Sequence, residues 1–181
     1  MTKLVAGHDA ALNELMDRHA ERLFHYLMRI LQNETEASDL AQETFVRIYQ
    51  HRTRYKSEHK FSTWLYTIAT NLARDLQRHR ARHPQVSLDA EQRETDFHEI
   101  LQDAGPDPGA TLDSAERAEA VRQAVAELPE ELRLPLVLSE YEDKSHAEIA
   151  AILNCSAKAV EMRLYRARQQ LRTRLEKVLQ S

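Results

Sequence analysis

Three observations predict an all-α fold of two small helical domains joined by a flexible acidic linker. Apolar residues recur every third or fourth position along most of the 181 residues, the period that lines one face of a helix. Alternating strand patterns are missing. Glycine is confined to Gly7, Gly105 and Gly109, and the last two lie with Pro84, Pro106 and Pro108 in an acid-rich stretch, residues 84–113, that reads as the linker.

The first helix spans about Asp9 to Gln32, with Leu12, Leu15, Met16, Leu23, Leu27, Ile30 and Leu31 on one stripe. Asn33-Glu34-Thr35 breaks it, and Thr35 is placed to cap a second helix from about Glu36 to His51. Ala37, Leu40, Ala41, Phe45, Ile48 and Tyr49 face inward there, and Asp39, Gln42, Glu43, Val46 and Gln50 face out. After the polar loop RTRYKSEHK, Ser62 can cap a third helix and Phe61 can staple back onto it. Leu65, Ile68, Ala69, Leu72, Ala73 and Leu76 form its buried stripe, opposite Thr67, Asn71, Arg74 and Arg78.

The linker holds at most a short helix near FHEILQ. Beyond it, DSAERAEAVRQAVAEL is helical, with Ala118, Val121, Val125 and Leu128 inward. Pro129 can open the following helix. Pro135 should kink that helix or stop it early, since proline lacks an N–H and its ring clashes with the preceding turn. Ser145–Glu148, SHAE, is a capping box for a short helix to about Leu153. Asn154 can take the left-handed turn, and Ser156 caps a last helix whose inner stripe is Val160, Leu164, Ala167, Leu171, Leu175 and Val178.

Composition narrows the functional classes. Hydrophobic residues at 42% and charged residues at 30% fit a soluble globular chain, and no run approaches the roughly 18 apolar residues of a membrane span. The opening MTKLVAGHDA lacks the apolar core of a signal peptide, and the single Cys155 can form no internal disulfide. The expectation is a cytoplasmic protein without membrane insertion. A net charge of -4 hides a segregation: residues 127–148 hold seven acids and two bases, and residues 158–177 seven bases and two acids. An acidic chain that ends in a basic amphipathic helix keeps nucleic acid among its expected partners.

The short capped helix, the turn and the basic helix form a helix-turn-helix pattern, whose second helix enters the DNA major groove with its N-terminal residues. The exposed positions there are Lys158, Glu161, Met162, Tyr165, Arg166 and Gln169. An ordinary helical hairpin with a solvated charged face is the alternative. In the first half, Arg52, Arg54, Lys56 and Lys60 interleave with Tyr55, Phe61 and Trp64, a mixture suited to single-stranded nucleic acid: cations hold the backbone and rings stack on bases. Trp64 reads better as core. His79 and His83 have metal-ligand spacing, but Arg78, Arg80 and Arg82 surround them, so no metal is expected. No Gly-rich phosphate loop and no catalytic constellation occurs, which predicts a non-enzyme without cofactors.

The blocks ASDLAQETFVRIYQ, FSTWLYTIATNLARD, LPEELRLPLVL and SHAEIAAILNCSAKAVEMRLYRARQQL follow one another in the order seen in bacterial sigma factors. Over nearly its whole length the chain resembles the extracytoplasmic-function (ECF, group IV) RNA polymerase sigma factors, which keep only the second and fourth sigma regions. The resemblance implies a region 2 domain at 1–84, a linker at 85–113 and a region 4 domain at 114–181. It implies that Asp39, Gln42, Glu43 and Arg47 dock on the β′ clamp helices of core polymerase, and that region 4 meets the β flap. Tyr55, Lys56, Lys60, Asn71, Arg74 and Arg78 match the surface that recognises and melts the minus-ten element, with Tyr55 to Lys60 on the loop that captures a flipped base. Lys158, Glu161, Met162, Arg163, Tyr165, Arg166 and Arg168 fall on the minus-thirty-five helix. Glu161 and Met162 depart from the basic and small residues frequent there; glutamate repels phosphate but can accept from cytosine. Promoter DNA and an anti-sigma factor are the other partners implied. The rival readings are a regulator that binds duplex DNA through residues 145–172 without polymerase, and a helical adaptor for another protein.

Overall fold

A computed structural model describes residues 1–56, 58, 60–83 and 112–178, with the side chains of 112–116, 177 and 178 left out. Among these residues the chain is helical, with no strand. The elements are α1 (Thr2–Val5), α2 (Ala10–Leu31), α3 (Glu34–Gln50), a 3-10 turn (Arg52–Arg54), α4 (Phe61–Arg82), α5 (Leu112–Ala126), α6 (Glu130–Glu140), α7 (His146–Leu153) and α8 (Ala157–Val178). The expected linker lies outside the described residues up to position 111, and the helix near FHEILQ wholly so.

In the first half α2 packs along α3, and α4 lies against both. Leu23, Leu27, Ile30, Ile48 and Leu65 are fully buried where they meet. Each such side chain contributes about 1.5–3 kcal/mol by leaving water. A polar string runs through this core. The Thr70 hydroxyl donates to the Tyr66 carbonyl at 2.6 Å, which uses its only proton. Tyr26 must therefore be the donor in its 2.7 Å contact with Thr70 Oγ1.

Local signals place the helix ends, with corrections to the expected caps. Asn33, not Thr35, caps α3: its side chain accepts from the Glu36 amide at 3.0 Å. Thr35 falls in the first turn because α3 starts at Glu34, three residues before its apolar stripe begins at Ala37. Ser62 likewise lies inside the first turn of α4, where Lys60 is the N-cap and makes no side-chain cap bond. The short α1 gave no sequence signal; it buries Leu4, and beyond its Ala6 C-cap the chain turns at Gly7, whose φ of +90° favours a residue without a Cβ.

In the second half, α8 is the spine against which α5, α6 and α7 pack. The capping box is present: Ser145 Oγ accepts from the Glu148 amide at 3.3 Å, and Glu148 Oε2 accepts from the Ser145 amide at 3.0 Å. Asn154 takes the left-handed conformation at φ 51°, and Ser156 Oγ accepts from the Ala159 amide at 3.1 Å. Pro135 neither stops α6 early nor marks its end; the helix continues to Glu140. Leu132, Leu134, Leu136, Val137 and Leu138 are all buried around it, which outweighs the roughly 3 kcal/mol that an interior proline costs. Ala118 and Val121 are exposed rather than inward, because the buried stripe of α5 begins only at Ala124. The facing end of α8, at Leu171 and Leu175, is itself only half-buried.

The two halves do not stand apart. α4 packs on α7, and α2 on α6. Polar contacts cross this seam in several places. Arg22 reaches Glu142 at 3.8 Å and Asp143 at 3.4 Å. The Arg29 guanidinium lies 4.3 Å over the Tyr141 ring, and the Lys144 ammonium 4.9 Å over the Tyr66 ring. The Tyr66 hydroxyl donates to the Glu142 carboxylate.

Candidate functional site

Three surfaces hold the residues that the sequence singles out. The first is the outer strip of α3. Asp39 and Gln42 are exposed, as is Val46 at 46%. Arg47 donates to Glu43 at 2.8 Å one turn away, so this pair presents both signs of charge. Beside the strip, Met16, Ala20, Phe24, Ala41, Gln42 and Phe45 line an open, mostly apolar groove of about 320 Å³ between α2 and α3. An acidic strip beside an apolar groove can accept a helix that carries both cations and apolar side chains.

The second surface is formed by residues 51–56, 58 and 60 with the outer face of α4. The Tyr55 ring sits 5.4 Å from the Trp64 ring, tilted by 45°. Trp64 is half-buried against the core, so one ring system serves both core and surface. Arg52 lies 4.3 Å over the Tyr49 ring and donates to its carbonyl, which fixes the start of the loop. Lys56 and Asn71 are exposed. Arg78 pairs with Asp75 on the same helix. Lys60 and Arg74 are held by the other half of the chain: Lys60 by Glu148 at 3.0 Å and Arg74 by Glu130 at 3.0 Å. The loop and helix thus gather cations, an amide and two aromatic rings on one side of the first half.

The third surface is the start of α8. Lys158, Glu161, Met162, Tyr165, Arg166 and Arg168 are exposed, and Arg163 is half-buried. Lys158 donates to Glu161 at 2.9 Å and holds its carboxyl below the usual range. Met162 at 42% and Tyr165 at 58% exposure are large apolar groups with no core to fill, the type that meets thymine methyls in a major groove. Gln169 donates to the Tyr165 hydroxyl at 3.1 Å, and Arg168 to Glu140 at 2.7 Å. The capped α7, the Asn154 turn and α8 hold these groups on a rigid scaffold.

The sequence reading missed the seam residues. Glu142 is only 3% exposed. Burial raises its carboxyl pKa, and the Tyr66 hydrogen bond and the Arg22 charge oppose that rise. Burial pushes the Tyr66 phenol up as well, and the Glu142 charge pushes it further. Glu148 goes the other way, to about 2, because it accepts from the Ser145 amide and hydroxyl. The acidic run at 140–143 was the one signal, but periodicity does not say which donors it meets 76 to 121 residues away, Tyr66 and Arg22. The His79 and His83 rings lie 4.8 Å apart, tilted by 42°, and no group of three or more metal-type ligands occurs among the described residues. No helix among them is long and apolar enough to cross a membrane.

Comparison with known proteins gives two family matches: Sigma-70 region 2 over residues 15–83 and Sigma-70 region 4 over residues 118–171. The ECF RNA polymerase sigma factor SigW of Bacillus subtilis (strain 168) is 35% identical over 173 residues, covering 93% of this chain and 91% of that protein. The RNA polymerase sigma-H factor of Pseudomonas aeruginosa is 32% identical over 177 residues, covering 96% and 90%. Among solved structures, CnrH in complex with the cytosolic domain of CnrY superposes with a TM-score of 0.71 at 26% identity, covering 97% of this chain and 94% of that one. The sigma factor RpoE of Bartonella quintana, solved with the anti-sigma factor NepR, shares the fold at TM-score 0.71 and 21% identity.

Proposed function

Because this chain belongs to the ECF RNA polymerase sigma factors, which direct polymerase to promoters, we propose that its three surfaces divide that work. Residues 1–84 form the region 2 domain, 85–113 the linker and 114–181 the region 4 domain, the arrangement of group IV. Asp39, Gln42, Glu43 and Arg47 dock on the β′ clamp helices; their exposure on α3 beside an apolar groove supports this. Region 4 meets the β flap.

Tyr55, Lys56, Lys60, Asn71, Arg74 and Arg78 take the minus-ten element. The Tyr55–Trp64 pair offers a stacking platform for an unpaired base, worth about 1–3 kcal/mol, and the cations hold the strand. The Asn71 amide can both donate to and accept from a base edge. Lys158, Glu161, Met162, Arg163, Tyr165, Arg166 and Arg168 read the minus-thirty-five element. Glu161 accepts from cytosine while Lys158 neutralises it against nearby phosphates. The chain carries no catalytic step of its own: polymerase makes the RNA, and this protein supplies address and strand opening in the cytoplasm. An anti-sigma factor controls it, by analogy with the sigma factor RpoE of Bartonella quintana, which was solved with the anti-sigma factor NepR.

The observation that carries this reading is the union in one chain of the region 2 and region 4 matches. Affinity capture with core polymerase tests it. The full chain should retain core and bind promoter duplex weakly alone. Tight duplex binding without core retention would instead identify a stand-alone regulator.

A further inference from the structure

On the outward face of α8, Glu161 selects a base more narrowly than the cations around it do. Val160, Leu164 and Ala167 are buried and fix the phase of the helix, so Lys158, Glu161, Met162, Tyr165 and Arg166 share the outer stripe. Lys158 donates to Glu161 Oε2 at 2.9 Å, and Oε1 has no partner among the described residues. The Lys158 hydrogen bond holds the Glu161 carboxyl below its usual range, so it meets DNA as an anion at neutral pH. An ionised carboxylate accepts and cannot donate, so its partner on a base edge is an amine. Adenine sets its major-groove amine beside N7, an acceptor that repels the carboxylate. Cytosine shows an amine there and no acceptor.

The cytosine N4 amine carries two hydrogens. One pairs with guanine O6, and the other is the donor in the groove. A methyl group on N4 leaves a single hydrogen, which base pairing consumes, so the methyl stands where the carboxylate needs a donor. A methyl group on C5 leaves both hydrogens in place and adds an apolar group like that of thymine. Met162 and Tyr165, next on the stripe and exposed, can take such a group. We propose that Glu161 makes this chain a reader of cytosine methylation, which rejects a minus-thirty-five element methylated on cytosine N4 and accepts one methylated on C5. The selection comes from Glu161 Oε1 and not from the cations, which hold phosphates of any sequence. It rests on the assignment of α8 to the minus-thirty-five element.

The test uses core polymerase reconstituted with the full chain on a promoter selected from a randomised library. Templates of two lengths, one modified and one not, compete in the same tube, and the transcript ratio reads relative promoter use. Each cytosine of the upstream block is replaced in turn by N4-methylcytosine or by 5-methylcytosine. At one cytosine N4-methylation should lower use about tenfold or more, while 5-methylation changes it by less than about twofold. E161A suits an exposed helical position, and it should bring the N4-methyl ratio at that cytosine to within about twofold of one. That variant separates the contact from any effect of the modified base on the duplex itself. An upstream block with no cytosine on either strand would overturn the proposal. So would N4-methylation tolerated at every cytosine, an equal loss with 5-methylcytosine, or a loss that persists in E161A. Each of these results leaves promoter-directed transcription by the chain intact. A chain that gives no starts above core alone would instead remove the functional assignment, and the methylation reading with it.

Discussion

Replacing Tyr66 by Phe removes one oxygen and leaves the ring. The ring keeps its edge-to-face contact with Tyr26, 4.9 Å between centroids at 84°, and its place beneath Lys144. Only the hydrogen bond to Glu142 is lost, and with it the donor that a buried carboxylate uses. The nearest remaining cation, Arg22, stands at 3.8 Å, too far for a hydrogen bond. A buried bond to a charged acceptor is worth about 1.5–3 kcal/mol, so Y66F should cost that much in urea unfolding followed by circular dichroism, with an unchanged slope. The cost depends on pH. Burial holds Glu142 above its ordinary value of 4.5 against the pull of Tyr66 and Arg22. A carboxyl raised in the folded state takes up a proton on folding, so its contribution is full below the unfolded pKa and is lost as pH rises through the folded one. Removing the Tyr66 hydroxyl raises Glu142 further. The Y66F penalty should therefore be largest at neutral pH and shrink in acid, once Glu142 is protonated in both proteins. A penalty below about 0.5 kcal/mol at pH 7, or one that grows in acid, would refute this account of the seam.

Substituting Asn71 by Ala should lower promoter-specific transcription about tenfold or more, the worth of a base-edge contact, while core retention stays the same. A collapse of core retention would place that face wrongly. Changing Asp39 and Glu43 together to Arg should weaken core affinity about tenfold or more, measured by titration of labelled core, and leave thermal stability nearly unchanged because Asp39 is exposed and Glu43 half-exposed. Ser145→Ala should cost about 1 kcal/mol by removing the cap of α7. Glu148 in the same box is depressed to about 2, so its contribution is present above its ordinary 4.5 and is lost as pH falls toward 2; S145A should flatten that acid limb in a pH series of unfolding curves.

Much of the fold was legible because it rests on short-range rules. The capping box at Ser145, the left-handed Asn154 and the cap at Ser156 each involve residues three or four apart, and each stands where the sequence put it. Two local caps were misplaced, since Thr35 and Ser62 each fall inside the first turn of their helices; the other errors came where a long-range term decided. Pro135 argued for a kink or an early stop, and the early stop was overridden by the packing of five buried neighbours on α6. Val121 fits the inward stripe by period, but α5 has little to pack against at that turn. The α3 strip and the start of α8 could be read as exposed from helical phase alone. The seam could not: Arg22, Tyr66 and Glu142 lie on three different elements, and no local pattern joins them. For the same reason Lys60 and Arg74 read as free DNA-facing cations, when each already holds a carboxylate.

Transcription in vitro from a randomised promoter library, with purified core and this chain as the only specificity factor, tests the central claim most directly. The account predicts RNA starts, absent with core alone, downstream of two enriched sequence blocks, with the upstream block altered by substitutions at Glu161 and Arg166 and the downstream block by substitution at Asn71. Starts no more frequent than with core alone, or enrichment of a single block that persists when polymerase is omitted, would contradict it.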